Sequence, residues 1–104
     1  TRATEQYFDR VINKMGRQVV RQFVRYYEVP GYGHAVSTTF NANWDSLAAL
    51  DQWSTTSKPP ENPVVTDASG VPGRTRPLCE YPFWPRYKGT GDVNKAESFM
   101  CWMD

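Results

Sequence analysis

The chain has 104 residues, with 12 Lys and Arg against 11 Asp and Glu, one His and two Cys. That length holds at most one modest domain. A net charge of +1, with both signs interspersed, leaves no electrostatic footprint for nucleic acid or for an anionic membrane surface. No apolar run is long enough to span a bilayer, and four Trp, six Tyr and five Phe in so short a chain argue against disorder.

The opening residues are polar and helix-prone, without the apolar core of a signal peptide. A start at Thr1 rather than Met reads as a processed or internal segment of a longer chain. From about Thr4 to Met15 the spacing of Tyr7, Phe8, Val11, Ile12 and Met15 predicts a helix, closed by a glycine, Gly16, in a positive-φ conformation. A shorter helical stretch is expected over Arg17 to Gln22. Phe23 to Val29, rich in aromatic and β-branched residues and ending at Pro30, predicts a strand. Pro30-Gly31-Tyr32-Gly33-His34 must then be a tight turn. A second helix is expected from about Asn43 to Trp53, capped by Asn41 or Asn43, with Asp45 in its first turn. Its apolar residues are Trp44, Leu47, Ala48, Leu50 and Trp53, and it stops in Ser54 to Ser57 ahead of Pro59-Pro60. The remainder, which holds all but one of the prolines and both cysteines, predicts a short strand at Pro63 to Thr66, an irregular arm and one helical turn near Asn94 to Phe99.

His34 is the one residue positioned for general-base chemistry. It is the only histidine, it follows a predicted strand, and it stands in a glycine-bracketed turn of the kind that carries function on a rigid scaffold. The plainer alternative is a turn histidine bonded to backbone. Metal binding is not expected, because there is no second His and the cysteines lack zinc-type spacing. None of the six serines sits in a G-x-S-x-G elbow, and Ser37 stands too close along the chain for in-line activation by His34. Asp9 and Glu28 are expected to face solvent. Cys79 and Cys101, in an arm with little core of its own, read either as a disulfide worth about 3 kcal/mol of loop entropy in an oxidising compartment, or as two free thiols. Gly70 to Gly73 and Lys88 to Asp92 are turn signals rather than phosphate loops. Tyr81, Phe83, Trp84 and Tyr87 either anchor the arm by packing or form a stacking platform for a glycan or proline-rich peptide.

Several stretches in order carry a resemblance. These are Val29-Pro30-Gly31-Tyr32-Gly33-His34, Trp44 to Trp53, Arg74-Thr75-Arg76-Pro77-Leu78-Cys79-Glu80-Tyr81-Pro82, Pro85 to Asn94, and Ser98-Phe99-Met100-Cys101. Together they resemble the C-terminal end of the tannase/feruloyl esterase family of secreted α/β-hydrolases. The resemblance implies an α/β fold to which this chain adds the last core strand, the catalytic-histidine loop, the C-terminal helix and a disulfide-stapled arm. Residues 1–58 would belong to the catalytic domain and 59–104 to its Pro/Gly-rich arm. His34 would be the histidine of a Ser-Asp-His triad whose Ser and Asp lie upstream, and Tyr32 a residue at the pocket edge. Cys79 and Cys101 would be joined.

The implied substrate is a small phenolic ester or a plant cell-wall ester, hydrolysed outside the cell without a cofactor. The implied partner is the remainder of the parent hydrolase, with no role for nucleic acid or membrane. In one respect the chain departs from the family pattern: Ala35 stands where most members carry a cysteine bridged to one beside the nucleophile. On this reading the isolated chain is inactive. The alternatives are a stand-alone aromatic-rich binding module and a truncated, non-catalytic paralogue.

Overall fold

The computed structural model describes residues 2–31 and 38–104. Helix α1 (Arg2–Met15) carries Glu5 in its first turn and Lys14 in its last, both favourable to the helix dipole, and buries Phe8. Gly16 follows at φ 85°, its N–H on the carbonyl of Ile12. Helix α2 (Arg17–Val20) is shorter than expected and continues as a turn through Phe23; Val20 is fully buried.

The predicted strand at Phe23 to Val29 is not formed. The backbone there makes a single isolated bridge, Tyr27 to Glu80, beside a bond from the Tyr81 N–H to the Tyr26 carbonyl. A ladder needs a run of partners. The neighbouring segment ends at Pro82, which has no N–H to give.

The second helix also begins later than predicted. Ala42–Asn43 form strand β1, and helix α3 runs Ser46–Thr56. Asp45 itself is the N-cap, its carboxylate accepting from the Ala48 N–H at 2.9 Å. The helix ends at Ser57, left-handed at φ 58°, whose N–H reaches the Trp53 carbonyl, and the proline pair follows.

The arm is more ordered than expected. Strand β2 (Val64–Asp67) pairs antiparallel with β1 and with β3 (Thr75–Pro77), in the order β1-β2-β3. Ala42 faces Asp67, and Val65 faces Arg76. Pro77 is tolerated because β3 is an edge strand. Strands β4 (Trp84–Tyr87) and β5 (Phe99–Trp102) form a second antiparallel ribbon, with the expected helical turn present as a 3₁₀ turn at Ala96–Ser98. The two sheets are tied by the bond from the Ala96 N–H to the Thr75 hydroxyl, 2.8 Å, and by the Cys79–Cys101 disulfide, Cα to Cα 5.6 Å.

Among the described residues the buried apolar set is Phe8, Val20, Val65, Leu78 and Cys79, with Asp67 and Ser98 as buried polar residues. The radius of gyration is 14.6 Å, against about 13 Å for a compact domain of this length. The helices leave broad apolar faces open: Leu47 is 76% exposed and Leu50 59%.

Candidate active site

His34 and Tyr32, the sequence-predicted base and pocket-edge residue, lie outside the described residues, as do Ser37 and Ala35. The structure describes the two limbs on either side of residues 32–37.

The entry limb is anchored by aromatic packing. Tyr26 stacks with Phe8 and Tyr81, each ring centroid 5.1 Å away, and Tyr27 meets Trp44 edge-on at 5.7 Å. The Tyr26 hydroxyl donates to the Glu28 carboxylate, and the Tyr81 hydroxyl donates to Asp9 at 3.3 Å. Asp9 and Glu28, both expected to face solvent, are thus each bonded to a tyrosine; Asp9 is exposed, whereas Glu28 is half-buried. Burial and the bond to Glu28 push the Tyr26 phenol well above its usual range; burial and the charge of Asp9 raise Tyr81. Gly31 then takes φ 76°, a left-handed conformation that opens the turn where a side chain would be strained.

The return limb, Thr39 to Asn41, is held by polar contacts from the arm. Asp67, at the end of β2, is 1% exposed. Its Oδ1 accepts from the N–H groups of Asn41 (3.0 Å), Ser69 (3.0 Å) and Gly70 (2.9 Å), and its Oδ2 from Val71 N–H (2.7 Å) and Arg74 Nη2 (2.8 Å). Burial by itself would raise this carboxyl, yet the backbone donors of Val71, Asn41, Ser69 and Gly70 outweigh it and hold the group well below the usual carboxylate range. Arg74 Nη2 also donates to the Thr39 carbonyl at 2.7 Å, and the guanidinium lies over the Phe40 ring at 5.0 Å. Sequence reading passed over Asp67. The available signal was an Asp closing a β-branched run directly before a Ser-Gly turn, the usual setting for a side chain that accepts from the N–H groups following it.

Both limbs border one groove of about 380 Å³, lined by Glu28, Val29 and Pro30 from the entry side and by Thr39 and Phe40 from the return side. Its floor holds Val65, Leu78, Arg74, Arg76 and Trp84. Arg76 lies over the Phe99 ring at 4.1 Å, and burial, followed by repulsion from Arg74, lowers its pKa. The aromatic residues of the arm do not form a single platform. Tyr81 packs into the Phe8–Tyr26 cluster, Tyr87 packs on Phe99 at 5.5 Å, and Trp84 borders the groove. Arg17, Arg21 and Arg25 converge on Glu80, which ties α2 to the arm. Among the described residues no three His, Cys, Asp or Glu side chains gather as a metal site would need.

Residues 1–102 match the family described as tannase and feruloyl esterase, and the chain belongs to that family. The family is one of α/β-hydrolases. The chain is 52% identical over 96 residues to an uncharacterised esterase of Agrobacterium fabrum, a match covering 90% of this chain and 17% of that protein. It is 38% identical over 85 residues to a mono(2-hydroxyethyl) terephthalate hydrolase of Piscinibacter sakaiensis, covering 76% of this chain and 14% of the relative. A probable feruloyl esterase of Arthroderma benhamiae is 39% identical over 94 residues, covering 86% of this chain and 17% of the relative. The chain therefore spans less than a fifth of the length of these relatives.

Proposed function

We propose that this chain is the histidine-bearing portion of a secreted carboxylic ester hydrolase acting on esters of plant phenolic acids. The observation that carries the reading is the single histidine, four positions after Pro30, within a chain that an esterase family matches almost end to end. His34 takes the proton of a serine hydroxyl contributed from outside these 104 residues as that oxygen attacks the ester carbonyl. The same imidazole returns the proton to the departing alcohol, then activates water to release the acid. An aspartate, also from outside, fixes the tautomer, and Tyr32 borders the acyl pocket. No cofactor is required. Two relatives carry aromatic acid esters in their names, which supports an aromatic acyl group. The open apolar faces of α1 and α3 support a further body of chain against which they pack. The disulfide suits an oxidising compartment.

The test is turnover of methyl ferulate by the full-length polypeptide and its His34→Ala variant. The variant is expected to lose at least about a thousandfold in kcat, as removal of a triad member does elsewhere, with an unchanged circular dichroism spectrum. Turnover near the parent value would overturn the assignment.

A further inference from the structure

We propose that the groove holding Arg76 and Trp84 is a binding site for a small carboxylic acid with a flat apolar body, Arg76 taking the carboxylate. The inference makes no use of His34 and is independent of the esterase reading. It starts from a cation in an unusual place. Arg76 pairs with Val65 across β2 and β3, so the two side chains share one face of the sheet. Val65 is 3% exposed, and both residues line the groove. A half-buried guanidinium on an inward face is ordinarily matched by an acid. Among the described residues Arg76 has none. The groove's other guanidinium, Arg74, is paired with Asp67 at 2.8 Å, and the Glu28 carboxylate at the rim is bonded to the Tyr26 hydroxyl.

A purely structural arginine would need only its stacking on Phe99 and the bond from Nη1 to the Thr75 carbonyl, 2.9 Å. Two features are left over. The Thr75 bond uses one of five N–H donors, and no other described residue supplies the fork with an acceptor. Arg74 is also incompletely satisfied: its Nη2 serves Asp67 and Thr39, while its Nε is buried without an acceptor. Burial and the neighbouring guanidinium both weigh against the charge of Arg76, and an arriving carboxylate offsets both with a charge-assisted, two-pronged bond. Phe40, Pro77, Leu78, Trp84 and Pro85 supply flat or aliphatic walls for the rest of the ligand. A volume of about 380 Å³ stands at the small end of ligand pockets, which suits a single ring better than a peptide.

The experiment titrates the full-length polypeptide by ligand-observed NMR with benzoate, the simplest acid of this class, and with benzamide, which has nearly the same shape and no charge. Benzoate is expected to saturate one site, with benzamide at least about tenfold weaker. Arg76→Gln should weaken benzoate by about 10- to 100-fold and leave benzamide unchanged, whereas Trp84→Ala should weaken both. Arg86→Gln removes an arginine that lies over Trp102 and does not line the groove; it should change neither, which separates the site from general attraction of anions. If Arg76→Gln fails to fold, Trp84→Ala, at a side chain already 42% exposed, decides. An absence of saturable benzoate binding would mean that other parts of the polypeptide fill the groove. Equal binding by the parent, Arg76→Gln and Trp84→Ala would place the acid elsewhere on the molecule. Either result overturns the proposal and leaves the esterase reading untouched.

Discussion

The helical half and the arm differ in the opposite sense from their sequences. Helix α1 has strong apolar periodicity and α3 is apolar in composition, yet α3 buries nothing fully and Tyr7, Phe23, Leu47 and Leu50 stand open. The arm, dense in proline, contributes Val65, Asp67, Leu78, Cys79 and Ser98 to the buried set. Periodicity reports which face of a helix will be covered; it does not say what covers it. The arm closes on itself through non-local pairing, a buried carboxylate and a disulfide, and so has its own small core. The helices carry apolar faces suited to packing against a larger body.

The sharpest way to break this comparison is to open the arm. Cys79→Ser with Cys101→Ser is expected to cost about 3 kcal/mol of loop entropy, read as a fall in the denaturant midpoint of the full-length polypeptide and as early hydrogen exchange confined to residues 75–102. Equal loosening of the helices would mean that the arm is not a unit. Next come the helical faces: Leu47→Ser and Leu50→Ser should each cost about 2 kcal/mol in the full-length polypeptide. A loss below about 0.5 kcal/mol would mean that α3 faces solvent there.

The last effect is on pH dependence. The Asp67 carboxyl lies below its unfolded value, so its contribution to stability is complete above the ordinary aspartate pKa near 4 and is lost as pH falls through the lower folded value. The phenols of Tyr26 and Tyr81 lie above theirs, so their contribution is complete below about pH 10 and is lost as pH rises. Asp67→Asn should flatten the acid limb of the stability curve and leave the alkaline limb unchanged.

Much of the local structure was legible. Helix α1, the stop of α3 before Pro59 and the 3₁₀ turn follow from spacing, capping and proline chemistry, all of which act within a few residues. The Cys79–Cys101 pair followed from composition and family likeness together, and the structure contains it. Strand pairing was less legible. Whether Phe23 to Val29 forms a ladder depends on the segment beside it, which ends at Pro82, and the β4–β5 ribbon joins Trp84 to Trp102 across a turn-rich stretch with little alternation. Asp67 was invisible for a related reason: it sits in an ordinary turn sequence, and its importance comes from the distant Thr39–Asn41 segment that the fold brings to it.

The most direct test of the central claim is the intact mass of the native polypeptide carrying this sequence, before and after treatment with a fluorophosphonate. The account predicts a mass several times 11.9 kDa, with one adduct on a serine outside these 104 residues that forms far more slowly in His34→Ala. A native species of 11.9 kDa, or an adduct that forms equally fast without the imidazole, would contradict it.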